Sequence, residues 1–239
     1  MAPATSMSNI ADRLAGIRER IAAAARSAGR DPSSVRLVAV SKTFPIDAVR
    51  EAYAAGQRDF GENRVQEALQ KIASATDLEI RWHLLGHLQL NKARKAGPVF
   101  AAIHSVDSLE LLKKIDAAAV EAGRTAELLL QVDLAGETTK FGASPDEVPR
   151  LLDAGATCRA ARVTGLMTLP PLPDSPEDAR PWFRQLRELR DRWLTSGVPP
   201  EMLSELSMGM SGDFEVAIQE GSTMVRVGTA IFGSRHVQI

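Results

Sequence analysis

Val35-Arg-Leu-Val-Ala-Val-Ser-Lys42-Thr43 is an aliphatic run that stops at a lysine. Val35 to Val40 is β-branched or aliphatic apart from Arg36, the pattern of a strand buried on both faces and hence of a parallel sheet. Ser41, Lys42 and Thr43 follow at its carboxyl end, and Pro45 opens a helical pattern. The lysine therefore stands at a strand-to-helix junction, where barrels and open α/β sheets carry their active groups. A lysine there is a phosphate ligand, a Schiff-base amine or an ordinary surface residue.

Working outward, Ile10, Leu14, Ile17 and Ile21 recur at helical spacing and predict an amphipathic helix over 8–28, ended by Gly29. A second helix is expected over 46–55, closed by Gly56. Arg58 to Gly61 reads as a short strand leading to Asn63, which repeats the position of Lys42 one unit later. Helix 63–75 is expected to carry Val65, Leu69 and Ile72 on one face. Strands are predicted at 80–86, 100–106, 126–132, 162–167, 203–208 and 223–227. Between them Asp107 or Ser108 caps a helix through Val120, and Ser144-Pro145-Asp146-Glu147 starts another after the polar loop 133–142. Helix 176–194 is expected to bury Trp182, Leu186, Leu189 and Trp193, while Arg180, Arg184, Arg187 and Arg190 form either a solvated face or a partner-binding stripe. Ser211 is the expected cap of helix 212–220.

Eight strands thus alternate with eight helices behind an extra N-terminal helix, and no composition shift marks a boundary. The reading is α/β, a single (β/α)8 TIM barrel domain over 1–239. An open doubly wound sheet is the alternative, but the βα units are too many and no Gly-x-Gly-x-x-Gly follows a strand.

The chain has 239 residues and a net charge of −1, which gives no electrostatic footprint for nucleic acid or an anionic membrane. Its one cysteine, Cys158, forms no internal disulfide, and with only four histidines it offers no metal cluster. The first ten residues lack a basic region followed by an apolar core, and no run reaches the roughly 18 apolar residues of a membrane span. These features predict a protein of the cytoplasm.

The residues just past the strands are Lys42, Asn63, Gly86-His87, Ser105, Asp133, Thr168, Ser207-Met-Gly-Met-Ser211 and Gly228-Thr229, all around one mouth. Strands seven and eight of a barrel commonly supply a phosphate site from glycine-rich turns, and these two turns have that composition, although tight turning alone explains glycines. A phosphate site and a lysine at one mouth suggest pyridoxal phosphate, whose aldehyde condenses with an amine while its phosphate anchors it opposite. Arg226 lies on strand eight, and a guanidinium directed into a barrel needs a partner, for which the pyridine nitrogen is a candidate.

Val40-Ser-Lys-Thr43, Phe60-Gly-Glu-Asn63, Trp82-His-Leu-Leu-Gly-His-Leu-Gln-Leu-Asn-Lys92, Gly165-Leu-Met-Thr-Leu-Pro-Pro171, Leu206-Ser-Met-Gly-Met-Ser-Gly-Asp213 and Val225-Arg-Val-Gly-Thr-Ala-Ile-Phe-Gly233 together resemble the pyridoxal-phosphate homeostasis protein family. Its members resemble the N-terminal barrel of alanine racemase without the second, β-rich domain. The resemblance implies that Lys42 carries the aldimine, Arg226 faces the pyridine nitrogen and Asn63 lies beside the ring. It implies that Ser207, Gly228 and Thr229 hold the phosphate, with Ser211 in the same turn, and that Met167, Met208 and His83 line the ring pocket. A packed core histidine is the alternative for His83. Phe141 departs from the family pattern, where a smaller residue more often stands.

An arginine on the pyridine nitrogen makes a weak electron sink, and racemisation needs a second base, which the resembled racemase receives from a tyrosine on the missing domain. The only tyrosine here, Tyr53, is predicted on a helix outside the mouth. The expected function is binding, buffering and delivery of pyridoxal phosphate without turnover, by a monomer in transient contact with PLP-dependent apo-enzymes. The alternatives are a small PLP-dependent racemase or lyase using Lys42 as base, and a Schiff-base aldolase of sugar phosphates.

Overall fold

The computed structural model describes residues 9–136 and 141–234. Ser8 of the predicted first helix and Thr139 and Lys140 of the polar loop lie outside the described residues.

Helix α1 (Ile10–Ser27) comes first, with Asn9 capping it by accepting from the Asp12 N–H at 2.8 Å. The chain then runs through β1 (Arg36–Val40), α2 (Ile46–Ala54), β2 (Asp59–Glu62), α3 (Val65–Ala73), β3 (Arg81–Leu84), α4 (Ala93–Ala96), β4 (Ala102–Val106), α5 (Leu109–Glu121), β5 (Ala126–Gln131), α6 (Val148–Gly155), β6 (Ala161–Met167), α7 (Arg180–Thr195), β7 (Glu205–Ser207), α8 (Phe214–Gln219), β8 (Met224–Val227) and α9 (Thr229–Phe232). All eight strands pair in parallel and in sequence order, and β1 pairs with β8 to close the barrel, with Val38 opposite Arg226.

Alternation along each strand divides the core in two. Val38, Val40 and Leu85 form one apolar cluster, and Leu129, Met167 and Met224 another. Their outward-facing neighbours, such as Leu37, Ala39, Val225 and Val227, join the large cluster between barrel and helices. Leu14, Ile17 and Ile21 of α1 are buried in that layer, and each such side chain contributes about 1.5–3 kcal/mol.

Five local expectations are corrected. Helix α3 buries Val65, Ala68 and Lys71, leaving Leu69 and Ile72 half-buried, because Lys71 turns inward to Glu62 at 2.7 Å. Helix α6 begins only at Val148; Ser144 instead gives both its N–H and its hydroxyl to the Glu147 carboxylate, closing a turn ahead of the helix. In α7 the buried stripe is Phe183, Leu186 and Leu189. Two overlapping phases were open, and a phenyl ring has no N–H to satisfy, whereas the indole of Trp182 does and stays half-buried. Ser211 does not cap α8, whose N-cap is Asp213. Three of the four arginines singled out on α7 are engaged within the fold: Arg180, Arg184 and Arg187 reach the buried Glu220 at 3.0, 3.2 and 2.8 Å and tie α7 to α8, while Arg190 pairs with the neighbouring Asp191 at 2.7 Å.

Candidate functional site

The carboxyl ends of β1, β2, β7 and β8 bring most of the expected residues to one mouth. Lys42 follows β1 in a turn and is half-buried, and Thr43 beside it has φ 69°, a left-handed conformation that a β-branched residue seldom adopts. Asn63 follows β2, with Gly86 of the next loop pressed against it. A Cβ on Gly86 would lie 2.2 Å from the Asn63 carbonyl oxygen, so only glycine allows the approach. Across the mouth, Gly209 turns the chain after β7 with φ 94°, where a Cβ would fall 2.5 Å from the Ala217 side chain.

Arg226 is buried, and it donates through Nη1 to Ser207 Oγ at 2.7 Å and through Nη2 to the Thr168 carbonyl at 3.0 Å. Burial pushes the guanidinium down to about 10, against the pull of Asp213, so it remains protonated at neutral pH. Ser211 Oγ accepts from the N–H groups of Gly228 at 3.3 Å and Ala230 at 3.5 Å, two backbone donors converging on one point beside the exposed Thr229.

Below Arg226 runs a line of hydrogen bonds. Ser207 Oγ lies 2.9 Å from His104 Nδ1, His104 Nε2 lies 2.9 Å from His83 Nδ1, and His83 Nε2 lies 2.9 Å from Asp59 Oδ1, which Arg81 meets at 3.2 Å. Burial, helped by His83 and Arg226, holds His104 well below the ordinary histidine value, so its ring is neutral. Arg226 only donates, so the Ser207 hydroxyl hydrogen is assigned to His104 Nδ1, and each following N–H then points on toward Asp59. The line joins a buried cation at the mouth to an anion at the opposite end of the barrel.

Two of the expected lining residues are placed elsewhere. His83 is fully buried with both ring nitrogens engaged, which is the packed-histidine alternative, and it meets the mouth only through His104 and Ser207. Met208 packs in the layer between barrel and helices, because Ser207 points inward and the next side chain along a strand points outward. Met167 does lie inside the barrel, against Leu129 and Met224. Phe141 is exposed at the rim and stacks on His87 with ring centroids 3.6 Å apart.

The family model described as alanine racemase, N-terminal domain, matches residues 13–236. The pyridoxal phosphate homeostasis protein of Aquifex aeolicus is 42% identical over 230 residues, covering 95% of this chain and 99% of its own. The chain belongs to this family. The homeostasis protein of Escherichia coli K12 is 39% identical over 235 residues, covering 96% of this chain and 98% of its own. PipY of Synechococcus elongatus without PLP superposes with a TM-score of 0.85 at 46% identity, covering 94% of this chain and all of PipY; its PLP-bound form gives 0.81 at 45%. Alanine racemase of Clostridium difficile, at 16% identity and a TM-score of 0.73 over 58% of its length, shares the fold.

Within this family barrel, sequence pattern overlooks four residues at or beneath the site. His104 sits mid-strand in an apolar run and carries no flag. Lys71, Glu62 and Glu67 form a charged group under Lys42, with Lys71 Nζ bonded to Glu62 at 2.7 Å and to Glu67 at 2.9 Å. The one available signal was Glu67 four residues before Lys71 on a helix, a spacing that pairs charges but is usually read as surface decoration.

Proposed function

We propose that the protein binds pyridoxal 5'-phosphate at this mouth, with Lys42 as its covalent anchor, and that it stores and delivers the coenzyme without turning over substrates of its own. The observation that carries the reading is the convergence of Lys42, the Arg226 guanidinium and the paired N–H groups of Gly228 and Ala230 at one barrel end. The family name and the PLP-bound PipY point the same way.

The donor set suits that coenzyme. Arg226 uses two of a guanidinium's five N–H groups on Ser207 and Thr168, which leaves donors for a ring nitrogen. The Gly228 and Ala230 N–H groups, with Thr229, Ser211 and Ser207, suit a phosphate: the backbone donors now share only the Ser211 hydroxyl, at long range, and an anionic oxygen is the better acceptor. Asn63 and Met167 would flank the ring.

When bound, the coenzyme supplies an aldehyde for a primary amine and a ring that draws electrons. Lys42 presents the amine. Arg226 holds its own proton at neutral pH, so it orients the ring nitrogen without protonating it and keeps the sink weak. Racemisation also needs a base on each face of the substrate carbon, and Tyr53, the chain's one tyrosine, lies on α2 with its hydroxyl on the Glu79 N–H at 3.3 Å, outside the mouth. Delivery from a monomer in the cytoplasm to apo-enzymes suits a mouth edged by the exposed Leu169 and Leu172.

The test is incubation of coenzyme-loaded protein with L- and D-alanine in deuterated water. Retained configuration with at most trace exchange supports the carrier. Rapid interconversion of the enantiomers would replace it with a racemase that uses Lys42 as base.

A further inference from the structure

The two peptide groups that flank Lys42 are both held from outside β1. Lys71 Nζ donates to the Ser41 carbonyl at 2.8 Å, on the amino side of Lys42, and the Thr43 N–H donates to Glu67 Oε1 at 2.6 Å, on its carboxyl side. Glu67 and Lys71 pair at 2.9 Å one turn apart on α3. Lys71 is tied down further by Glu62 Oε1 at 2.7 Å, and the same oxygen takes the Ser41 hydroxyl at 2.6 Å. Two planar peptide groups meet at the Lys42 Cα, so fixing both fixes the direction in which its side chain leaves the backbone.

Thr43 shows that this hold works against a local preference. It is the one non-glycine among the described residues with positive φ, and such a conformation in a β-branched residue persists only when its surroundings impose it. Satisfying the buried Glu62 accounts for the Lys71–Glu62 contact. It does not account for Glu67 reaching over to a strained amide one residue past the anchor.

We infer that the Glu67–Lys71 pair of α3 is a positioning clamp that holds the Lys42 backbone in the one conformation from which its amine meets the coenzyme. The inference rests on the coenzyme reading above. Glu67 acts on Lys42 through the Thr43 peptide.

The experiment titrates coenzyme-free protein with pyridoxal phosphate and follows absorbance in wild type, Glu67→Ala, Glu67→Gln and the double variant Glu67→Ala/Thr43→Gly, with thermal unfolding as the control for folding. Glu67→Ala leaves Lys71 on Glu62, so the barrel stays folded. Without the clamp Thr43 relaxes from the left-handed region and the competent backbone becomes a minority state, which lowers apparent affinity by about tenfold. Glu67→Gln keeps an oxygen for the Thr43 N–H and lies between. Glycine adopts positive φ freely, so the double variant recovers most of the loss. Wild-type affinity in Glu67→Ala, or a loss that Thr43→Gly does not recover, overturns the clamp. A wild type that takes up no coenzyme on Lys42 instead sinks the proposed function. In that case hydrogen exchange at the Thr43 amide of ligand-free protein decides the clamp: exchange faster in Glu67→Ala than in wild type supports it, and equal exchange overturns it.

Discussion

On the β1–β2 side of the mouth the backbone around Lys42 is held by ionised side chains, Glu67 and Lys71 with Glu62 behind them, whereas on the β7–β8 side Ser207 and Arg226 are held by hydrogen bonds that pass through a neutral histidine. The first side bears a flexible four-carbon amine whose direction has to be imposed. The second bears rigid donors, a planar guanidinium and backbone N–H groups, that need only be kept in place. Charge is spent where orientation is hardest to hold, and neutral bonding serves where geometry is already stiff.

The comparison is broken most readily on its charged side. Lys71→Met leaves the fully buried Glu62 without its cation, and breaking a buried pair in this way costs about 3–5 kcal/mol. Urea unfolding measures it. On the other side, His104→Leu strands the Ser207 hydroxyl and the His83 ring nitrogen, at about 1–3 kcal/mol for buried groups left unpaired. A His104→Leu loss as large as that of Lys71→Met would show that the neutral line carries as much strength as the charged group.

Acid separates the two sides by direction. Burial pushes the Glu67 carboxyl up, but the bonds from Lys71 and Thr43 outweigh it and hold the group below the ordinary glutamate value. Its contribution to stability is therefore complete above that ordinary value, about 4.3, and is lost as pH falls through the lower folded one. Across the mouth, burial raises Asp213, despite the Met210 N–H on its Oδ1 at 2.6 Å and the pull of Arg226. Because folding raises its pKa, its contribution is present below the ordinary aspartate value and lost as pH rises through the folded one. In an NMR titration the Thr43 amide should report a midpoint below the ordinary glutamate value and the Met210 amide a midpoint above the ordinary aspartate value; a shift of either in the other direction would contradict the assignment. The smallest effect expected is that of Ser211→Ala, because bonds of 3.3 and 3.5 Å are weak: stability should change by less than about 1 kcal/mol, while coenzyme retention falls.

The barrel was legible because strands such as Val35–Val40 announce themselves by composition, and because each ends in a polar or glycine residue that the closed sheet carries to one mouth. Lys42, Asn63, Ser207 and Gly228 could be placed there by counting strands, whereas the inward direction of Arg226 on β8 was open in the sequence and is settled by its bonds to Ser207 and Thr168. Lys71 could not. A lysine on an amphipathic helix is exposed by default, and only the three-dimensional meeting of α3 with the end of β2 turns it inward. His104 was hidden for a similar reason, since its partners come from β3 and β7, 21 and 103 residues away. Met208 and Ser211 were misplaced by one step of alternation and by one turn of chain, below the resolution of a motif. The arginines of α7 lacked a visible partner because Glu220 lies 33 to 40 residues along the chain.

Reduction of the coenzyme-loaded protein with borohydride, followed by proteolysis and peptide mapping, tests the central claim most directly. The account predicts one coenzyme fixed to Lys42, in a yellow protein that loses its colour on reduction, and weaker retention in Arg226→Ala with the barrel still folded. A reduced adduct on another lysine, or none at all, would contradict it.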